Sequence, residues 1–172
     1  MFKLIGALLV LAACTAFGMK SVMKKSESIK VLKELRSALT EIARAISFHF
    51  DPLPELISRL SREQFSEPSS FVNRLSHAIQ VSESEPLSRL WQRTAKEFSQ
   101  ENSLPERAEN LLQALGENLG KMDYETEIQR LSAGQASLSE LIEETENDYK
   151  KTEKMTKSLS IILGIFLVIL LL

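Results

Sequence analysis

The sequence predicts an all-α protein, with a bundle of about six helices between an N-terminal and a C-terminal transmembrane helix. Long apolar runs stand at both ends of the chain, and apolar residues at helical spacing fill the region between them. Only six glycines and five prolines occur among 172 residues, which disfavours a β-rich or disordered chain. This length suits one helical domain besides the two terminal segments.

The two apolar runs are assigned as transmembrane segments, residues 1–19 and 158–172. Leu4–Met19 holds 16 uncharged residues and Ser158–Leu172 holds 15. At 1.5 Å per residue each covers roughly 22–24 Å, and snorkelling lysines with local thinning compensate for a bilayer core of ~30 Å. The lysines beside the runs are Lys3, Lys20, Lys24, Lys25, Lys150, Lys151, Lys154 and Lys157.

Charge is segregated along the chain. Ser26–Tyr149 contains 22 acidic and 13 basic residues, a net charge of −9, whereas the flanks hold eight lysines and a single acidic residue, Glu153. Positive residues beside a span mark its cytoplasmic side. We therefore expect residues 20–157 to form a cytoplasmic helical domain that has the membrane, and no nucleic acid, as a partner.

Cys14 raises an alternative topology. Leu11-Ala12-Ala13-Cys14 has the form of a bacterial lipobox, in which the cysteine is lipidated and becomes the mature N-terminus. The product would be a lipid-anchored extracytoplasmic adaptor processed at Cys14. Only 13 residues precede Cys14, however, and the segment stays apolar to Met19, which favours the transmembrane interpretation.

Prolines mark the corners between the first four helices. The first helix is predicted from about Ser26 to Phe50, and the corner Pro52-Leu53-Pro54-Glu55 ends it because the residue before a proline avoids helical angles. Proline is favoured in the first turn of a helix, so this corner also starts the second helix. Ser66-Glu67-Pro68 is predicted to open the third helix, and Ser82-x-x-Glu85 with Pro86 the fourth.

The last two helices are delimited by capping signals. Ser103 and Glu106 have the spacing of a capping box, so the fifth helix is predicted to begin there and to extend to Leu119. Gly120 is predicted as its left-handed stop and Asp123 as the N-cap of the sixth helix. No proline interrupts the path beyond Asp123, so we expect the sixth helix to run straight into the C-terminal span.

The chain carries no recognisable catalytic chemistry. One cysteine excludes an internal disulfide, two histidines disfavour a zinc site, and no phosphate-binding glycine loop is present. Leu32, Leu35, Leu39, Ile42 and Ile46 step by three and four along the first helix and form an apolar stripe. His49 continues this stripe, and Trp91 is interpreted as a core residue. We therefore predict no catalytic residue, no metal and no cofactor.

Gly116 requires an explanation because a glycine inside a helix costs about 1 kcal/mol relative to alanine. It stands in Leu115-Gly116-Glu117-Asn118-Leu119-Gly120, where Gly120 is already explained as a cap. Close approach of a neighbouring helix is the favoured interpretation of Gly116. A docking groove for a partner is the alternative.

Several stretches together resemble one known family. They are Phe2-Lys3-Leu4-Ile5-Gly6-Ala7, the corner Pro52-Leu53-Pro54-Glu55, Leu115-Gly116-x-x-Leu119-Gly120-x-x-Asp123, and the apolar tail after a lysine-rich helix. In this order and over nearly the whole chain, they resemble the stage III sporulation protein AB family. The family commonly has a serine before the aspartate and a glutamine four residues after it, where this chain has Met122 and Glu127.

The resemblance implies a non-enzymatic platform subunit of a secretion-like channel between mother cell and forespore, similar to the platform proteins of type II secretion. It implies a place in the mother-cell membrane around the forespore, with the soluble domain in the mother-cell cytoplasm. The implied partners are the AA member of the same set, which resembles a secretion-type ATPase, and the other stage III sporulation channel subunits. A homo-oligomer is left open, and the motif residues are structural or docking candidates.

Overall fold

A computed structural model describes the backbone of residues 2–48, 51–82, 84–117, 119–120 and 123–171. Within these ranges, side chains are described from residue 25 to 156 and at 158, 159 and 162. The described residues form six helices and contain no strand, which confirms the all-α prediction for them. The helices are α1 (Phe2–Phe48), α2 (Leu53–Glu63), α3 (Phe71–Val81), α4 (Leu87–Glu101), α5 (Glu106–Gly116) and α6 (Tyr124–Leu171).

The first and last helices are much longer than the others. α1 has 47 residues and α6 has 48, so each is continuous with a terminal apolar run, as predicted for α6. Within the part of the chain that the structure describes, no helix is both long and apolar enough to cross a membrane. The transmembrane assignments stay predictions, and the side chain of Cys14 lies outside the described residues.

The chain divides into two compact units. One unit consists of Met1–Ile29 and Glu143–Leu172, and within it Lys25 Nζ donates a hydrogen bond to Thr152 Oγ1 at 3.2 Å. The other unit, Lys30–Ile142, contains the apolar core and is called the helical core below. α1 and α6 each have residues in both units.

The helical core is built on the apolar stripe predicted for α1. The stripe residues are at most 2 % exposed, and they are Leu32, Leu35, Leu39, Ile42 and Ile46. The short helices follow one another, with α2 packed on α3, α3 on α4 and α4 on α5. Phe71 lies edge-on to both Trp91 and Phe98, with ring centroids 5.0 and 5.5 Å apart, and Trp91 is fully buried.

Three short helices begin directly after a proline. Pro52, Pro86 and Pro105 are the N-cap residues of α2, α4 and α5, with φ between −59° and −56° and ψ between 138° and 143°. Their carbonyls accept the first helical bonds, from the amides of Leu56, Leu90 and Glu109 at 3.1–3.2 Å. Proline fits this position because its fixed φ suits a helix start and it has no N–H to satisfy.

The predicted capping box at Ser103 is wrong. Ser103 has a φ of 51°, and its amide donates to the Gln100 carbonyl at 3.2 Å. It therefore closes the end of α4, and the start of α5 is set two residues later by Pro105. Ser82 likewise ends α3, with its amide bonded to the Ala78 carbonyl, and does not open α4.

Candidate docking pocket at the helix corners

The connection between α5 and α6 has a defined conformation in its described residues. α5 ends at Gly116, three residues earlier than the predicted Leu119. Gly120 has a φ of 79°, so its predicted left-handed conformation is observed. Glycine tolerates this region because it lacks the Cβ atom that would crowd the backbone.

Asp123 caps the start of α6, as predicted. Its Oδ1 accepts the Thr126 amide and its Oδ2 accepts the Thr126 hydroxyl, both at 2.9 Å. The amide bond first, and then the hydroxyl bond, hold the pKa of Asp123 below its ordinary value because both favour the ionised carboxylate.

Two side chains on the first turns of α6 hold the two ends of this connection. Glu127 Oε1 accepts the Gly120 amide at 2.9 Å, and Arg130 Nη2 donates to the Ala114 and Leu115 carbonyls at 2.9 and 3.3 Å. Arg130 thereby donates to carbonyl groups of the last turn of α5, where helical donors run out, and the Ala114 carbonyl also accepts the Glu117 amide at 3.4 Å. We call this pair the Glu127–Arg130 clamp.

The second carboxylate oxygen of Glu127 is less well satisfied. The side chain is only 2 % exposed, and Oε2 has no hydrogen-bond donor among the described residues. Arg130 Nη1 lies 3.9 Å from Oε2, which is beyond hydrogen-bonding distance. Buried oxygens without a donor are uncommon and call for an explanation.

Gly116 lies under the indole ring of Trp91. A Cβ atom on Gly116 would stand 2.2 Å from Trp91 Cδ1, so any side chain would collide with the ring. The indole Nε1 donates to the Leu112 carbonyl at 2.7 Å, which fixes the ring against the last turn of α5. The geometry is that of close helix packing, the favoured interpretation of this glycine.

A pocket of about 500 Å³, called the corner pocket here, opens beside Gly120. It lies where the starts of α2, α4 and α6 meet, and Ile46 of α1 contributes to its wall. The starts of α2 and α4 supply Pro52, Leu53, Pro54, Pro86, Leu87 and Ser88. The α5–α6 connection and α6 supply Leu119, Gly120, Asp123, Tyr124 and Glu127.

The lining of the corner pocket is mainly apolar and carries charge of one sign. Its charged members are Asp123, which is exposed, and Glu127; no basic side chain lines it among the described residues. Among the residues that the structure describes, no three histidine, cysteine or acidic residues are grouped to hold a metal ion. Such a pocket can accommodate an apolar group together with a hydrogen-bond donor.

The sequence model of stage III sporulation protein AB matches residues 3–172 of the chain. The chain belongs to the stage III sporulation protein AB family. The protein named stage III sporulation protein AB in Bacillus subtilis (strain 168) is 25 % identical over 171 residues, which are 99 % of each chain. No solved structure matches the chain.

In this member of the stage III sporulation protein AB family, the corner pocket unites parts of two motifs that are far apart in sequence. Pro52, Leu53 and Pro54 meet Leu119, Gly120 and Asp123 there. Glu55 is exposed and lies on another surface, beside Arg59 and Arg62. Leu115 and Gly116 are buried in the core, and Met122 and His49 lie outside the described residues.

Sequence reasoning did not find the other half of the pocket. Pro86 and Leu87 repeat the proline–leucine start of α2, which is the one signal that could have paired these corners. Ile46, Ser88 and Tyr124 carry no such signal. In the sequence, Glu127 stands out only as a departure from the family's glutamine, yet its carboxylate accepts the hydrogen bond from the Gly120 amide that shapes this wall.

Proposed function

We propose that this member of the family is a non-enzymatic platform subunit of a secretion-like channel between mother cell and forespore. In this role it couples a cytosolic secretion-type ATPase to the membrane around the forespore. The observation that carries the proposal is the continuity of α1 and α6, which each extend from the helical core into a terminal apolar run. A force on the helical core would be passed to both runs along these two helices.

The sequence supports a membrane position for both terminal runs. Lysines adjoin the inner side of each run, and positive charge beside a span favours the cytoplasmic face. The helical core would then lie in the mother-cell cytoplasm, with both termini on the other side of the mother-cell membrane. Membership of a stage III sporulation family supports a place in sporulation.

The proposed partners are proteins and the membrane. The AA member of the same set would supply the ATPase, and other stage III channel subunits would meet the platform. The corner pocket, which gathers family motif residues and has an apolar lining, is the described surface best suited to receive a partner.

Reporter fusions test the topology. A reporter is joined after Tyr149 in one series and to the N-terminus in another, each with a cytosol-only fluorescent protein and a phosphatase that is active only outside. We expect fluorescence at Tyr149 and no phosphatase activity there. Phosphatase activity at Tyr149, together with cleavage before Cys14, would establish the lipid-anchored adaptor in place of the platform.

Co-purification tests the coupling. The full chain, extracted in detergent from sporulating cells, is captured through a tag and assayed for the AA member. We expect the ATPase to be retained with the chain. Its absence, under conditions in which other channel subunits are retained, would contradict the coupling role.

A further inference from the structure

Half of the large apolar side chains that are exposed among the described residues lie together on one stretch of α6. Met155, Leu159 and Ile162 are 72, 66 and 63 % exposed. Their spacing of four and three residues places them on one face of the helix. This apolar face begins at Met155, about one turn before Ser158, where the C-terminal span was predicted to start.

The same stretch of α6 carries exposed lysines, which are Lys150, Lys151 and Lys154. Lys151 stands four residues before Met155, so it lies at the N-terminal end of the apolar face itself. The acid among these lysines, Glu153, is half-buried and has an interaction of its own. The exposed surface of α6 therefore changes from basic to apolar within about two turns.

A lysine of α1 lies at the same level. Lys25 Nζ donates to Thr152 Oγ1 at 3.2 Å, and Thr152 stands between Lys151 and Lys154 on α6. The two bonded residues are 127 positions apart in the sequence, so only the packing of α1 against α6 brings their lysine clusters together. We call Lys25, Lys150, Lys151 and Lys154 the basic collar.

Acidic side chains precede the basic collar on α6. Glu143, Glu144 and Asp148 are exposed, and the charge of the helix surface changes sign between Asp148 and Lys150. A negatively charged surface attracts the collar and repels these acids. The change of sign therefore determines how far along α6 such a surface is approached.

Two occupants can cover the apolar face, namely lipid acyl chains or the same face of a second copy. Two copies in one membrane would pack in parallel and bring their Lys151 side chains together, since this lysine lies on the face. Like charges at close range oppose that arrangement. Anionic lipids match both parts of the surface, because their acyl chains cover apolar side chains and their phosphates attract lysines.

We propose that the basic collar binds the headgroups of anionic phospholipids, and that Met155, Leu159 and Ile162 lie among the acyl chains. This inference rests on the proposed function for the membrane position of α6. The span then begins at Met155, which adds about 4.5 Å of apolar length at 1.5 Å per residue. Lysines at the start of such a span reach the headgroups because helical side chains tilt toward the helix N-terminus, here away from the bilayer centre.

The main experiment measures lipid association with the full chain in phosphatidylcholine vesicles. Spin-labelled phosphatidylglycerol or spin-labelled phosphatidylcholine is added in trace amounts, and electron paramagnetic resonance gives the fraction that the chain immobilises. The test variant combines Lys150→Gln, Lys151→Gln and Lys154→Gln. The matched control removes three exposed basic residues of the helical core through Arg62→Gln, Arg89→Gln and Lys96→Gln.

We expect the unchanged chain and the control to associate with phosphatidylglycerol roughly threefold more strongly than with phosphatidylcholine. The test variant should lose most of this preference. Equal association of the two lipids with the unchanged chain, or a full preference in the test variant, would overturn the inference and leave the proposed function in place. If the chain immobilises neither lipid, the proposed membrane position fails, and the inference fails with it.

Inorganic phosphate distinguishes a lipid headgroup from a free anion. Sodium phosphate and sodium chloride are compared at equal ionic strength, and both should weaken the preference for phosphatidylglycerol to the same extent through screening. A larger reduction by phosphate would assign the collar to free phosphate and overturn the inference.

A second measurement locates the apolar face. In a Cys14→Ala background, nitroxide labels are attached at Met155→Cys, at Leu159→Cys and, as a control, at the exposed Asn147→Cys, and the chain is placed in vesicles of phosphatidylcholine and phosphatidylglycerol. Labels at 155 and 159 should be reached by oxygen, which concentrates in lipid, and the label at 147 by a water-soluble nickel complex. Access of the nickel complex to 155, or protection of 155 and 159 from both reagents, would overturn the inference. Protection from both would show that a protein covers this face.

Discussion

Gly116 lies in a filled contact, whereas Gly120, four residues later, lies beside an open pocket. A Cβ atom on Gly116 would meet Trp91 Cδ1 at 2.2 Å, but one on Gly120 would be 3.7 Å from its nearest neighbour, Leu53 Cδ1. Gly116 is the last residue of a regular helix, and Gly120 has a φ of 79°. The first glycine is needed for space and the second for its backbone conformation.

This difference explains how one short motif contributes to two regions. The Gly116 side joins α5 to α4 through the indole ring, and the Gly120 side shapes a wall where a partner is proposed to dock. Two glycines at helical spacing therefore do not indicate a shared groove. Substitutions at each position should separate the two roles.

The largest effect is expected at Gly116. Gly116→Ala should lower the free energy of unfolding by about 3 kcal/mol, because the methyl group must displace a buried ring that is held by its own hydrogen bond. This loss opposes the gain of about 1 kcal/mol that alanine gives in a helix. Urea denaturation of the detergent-solubilised chain, followed by circular dichroism, measures it.

Gly134→Ala is the matched control for this prediction. A Cβ atom there would meet Leu115 Cδ1 at 2.8 Å, but that atom is the end of a flexible side chain. The gain in helix propensity should offset the crowding, and the free energy of unfolding should change little. Equal losses in both variants would contradict the special role of the indole ring.

The second-largest loss of stability is expected for a substitution at Glu127. Glu127→Ala should lower the free energy of unfolding by about 2 kcal/mol, since the Gly120 amide loses its charged acceptor. Glu127→Gln keeps the acceptor and should remain close to the unchanged chain. Urea denaturation of the two variants measures the difference in their free energies of unfolding. If Glu127→Gln loses as much stability as Glu127→Ala, the effect comes from the lost charge and not from the lost acceptor.

A smaller effect is expected at Gly120. Gly120→Ala should lower the free energy of unfolding by about 1 kcal/mol, because an L-residue is strained at a φ of 79° although the space around it is open. Gly120→Asn should lose less, since asparagine visits this conformation more readily. Thermal denaturation compares the stability of the two variants. If Gly120→Asn is less stable than Gly120→Ala, side-chain size and not backbone strain determines the loss.

The smallest effect is a pH dependence from Asp123. Its pKa is lower in the folded chain than in the unfolded chain, so its contribution to stability is fully present above the unfolded pKa, about 4. The contribution is lost as pH falls through the lower, folded pKa. The difference in Tm between the unchanged chain and Asp123→Asn should therefore be constant from pH 7 to pH 5 and shrink toward pH 2.

Sequence patterns predicted the features that local interactions determine. The α1 stripe followed from the spacing of its leucines and isoleucines, and the roles of Gly120 and Asp123 followed from residue preferences at helix ends. The capping box at Ser103 failed because two local signals competed there. Ser103 adopts the left-handed backbone conformation that follows the end of α4, and Pro105 sets the start of α5.

The corner pocket could not be derived in the same way. Its walls come from three corners separated by whole helices, so no local spacing brings Pro52, Leu87 and Gly120 together. The bond from Gly120 to Glu127 crosses a loop, and a glutamate in the first turns of a helix is already explained by the helix dipole. Only tertiary packing distinguishes this glutamate from the others.

The position of Trp91 has an optical consequence. It is the sole tryptophan in the chain, and its indole is fully buried with its N–H bonded to a backbone carbonyl. Intrinsic fluorescence excited selectively at the indole therefore arises from one site, at the α4–α5 contact. A red shift of that emission would report separation of the Trp91 indole from Gly116. The fluorescence of the native chain therefore reports whether the α4–α5 contact is closed.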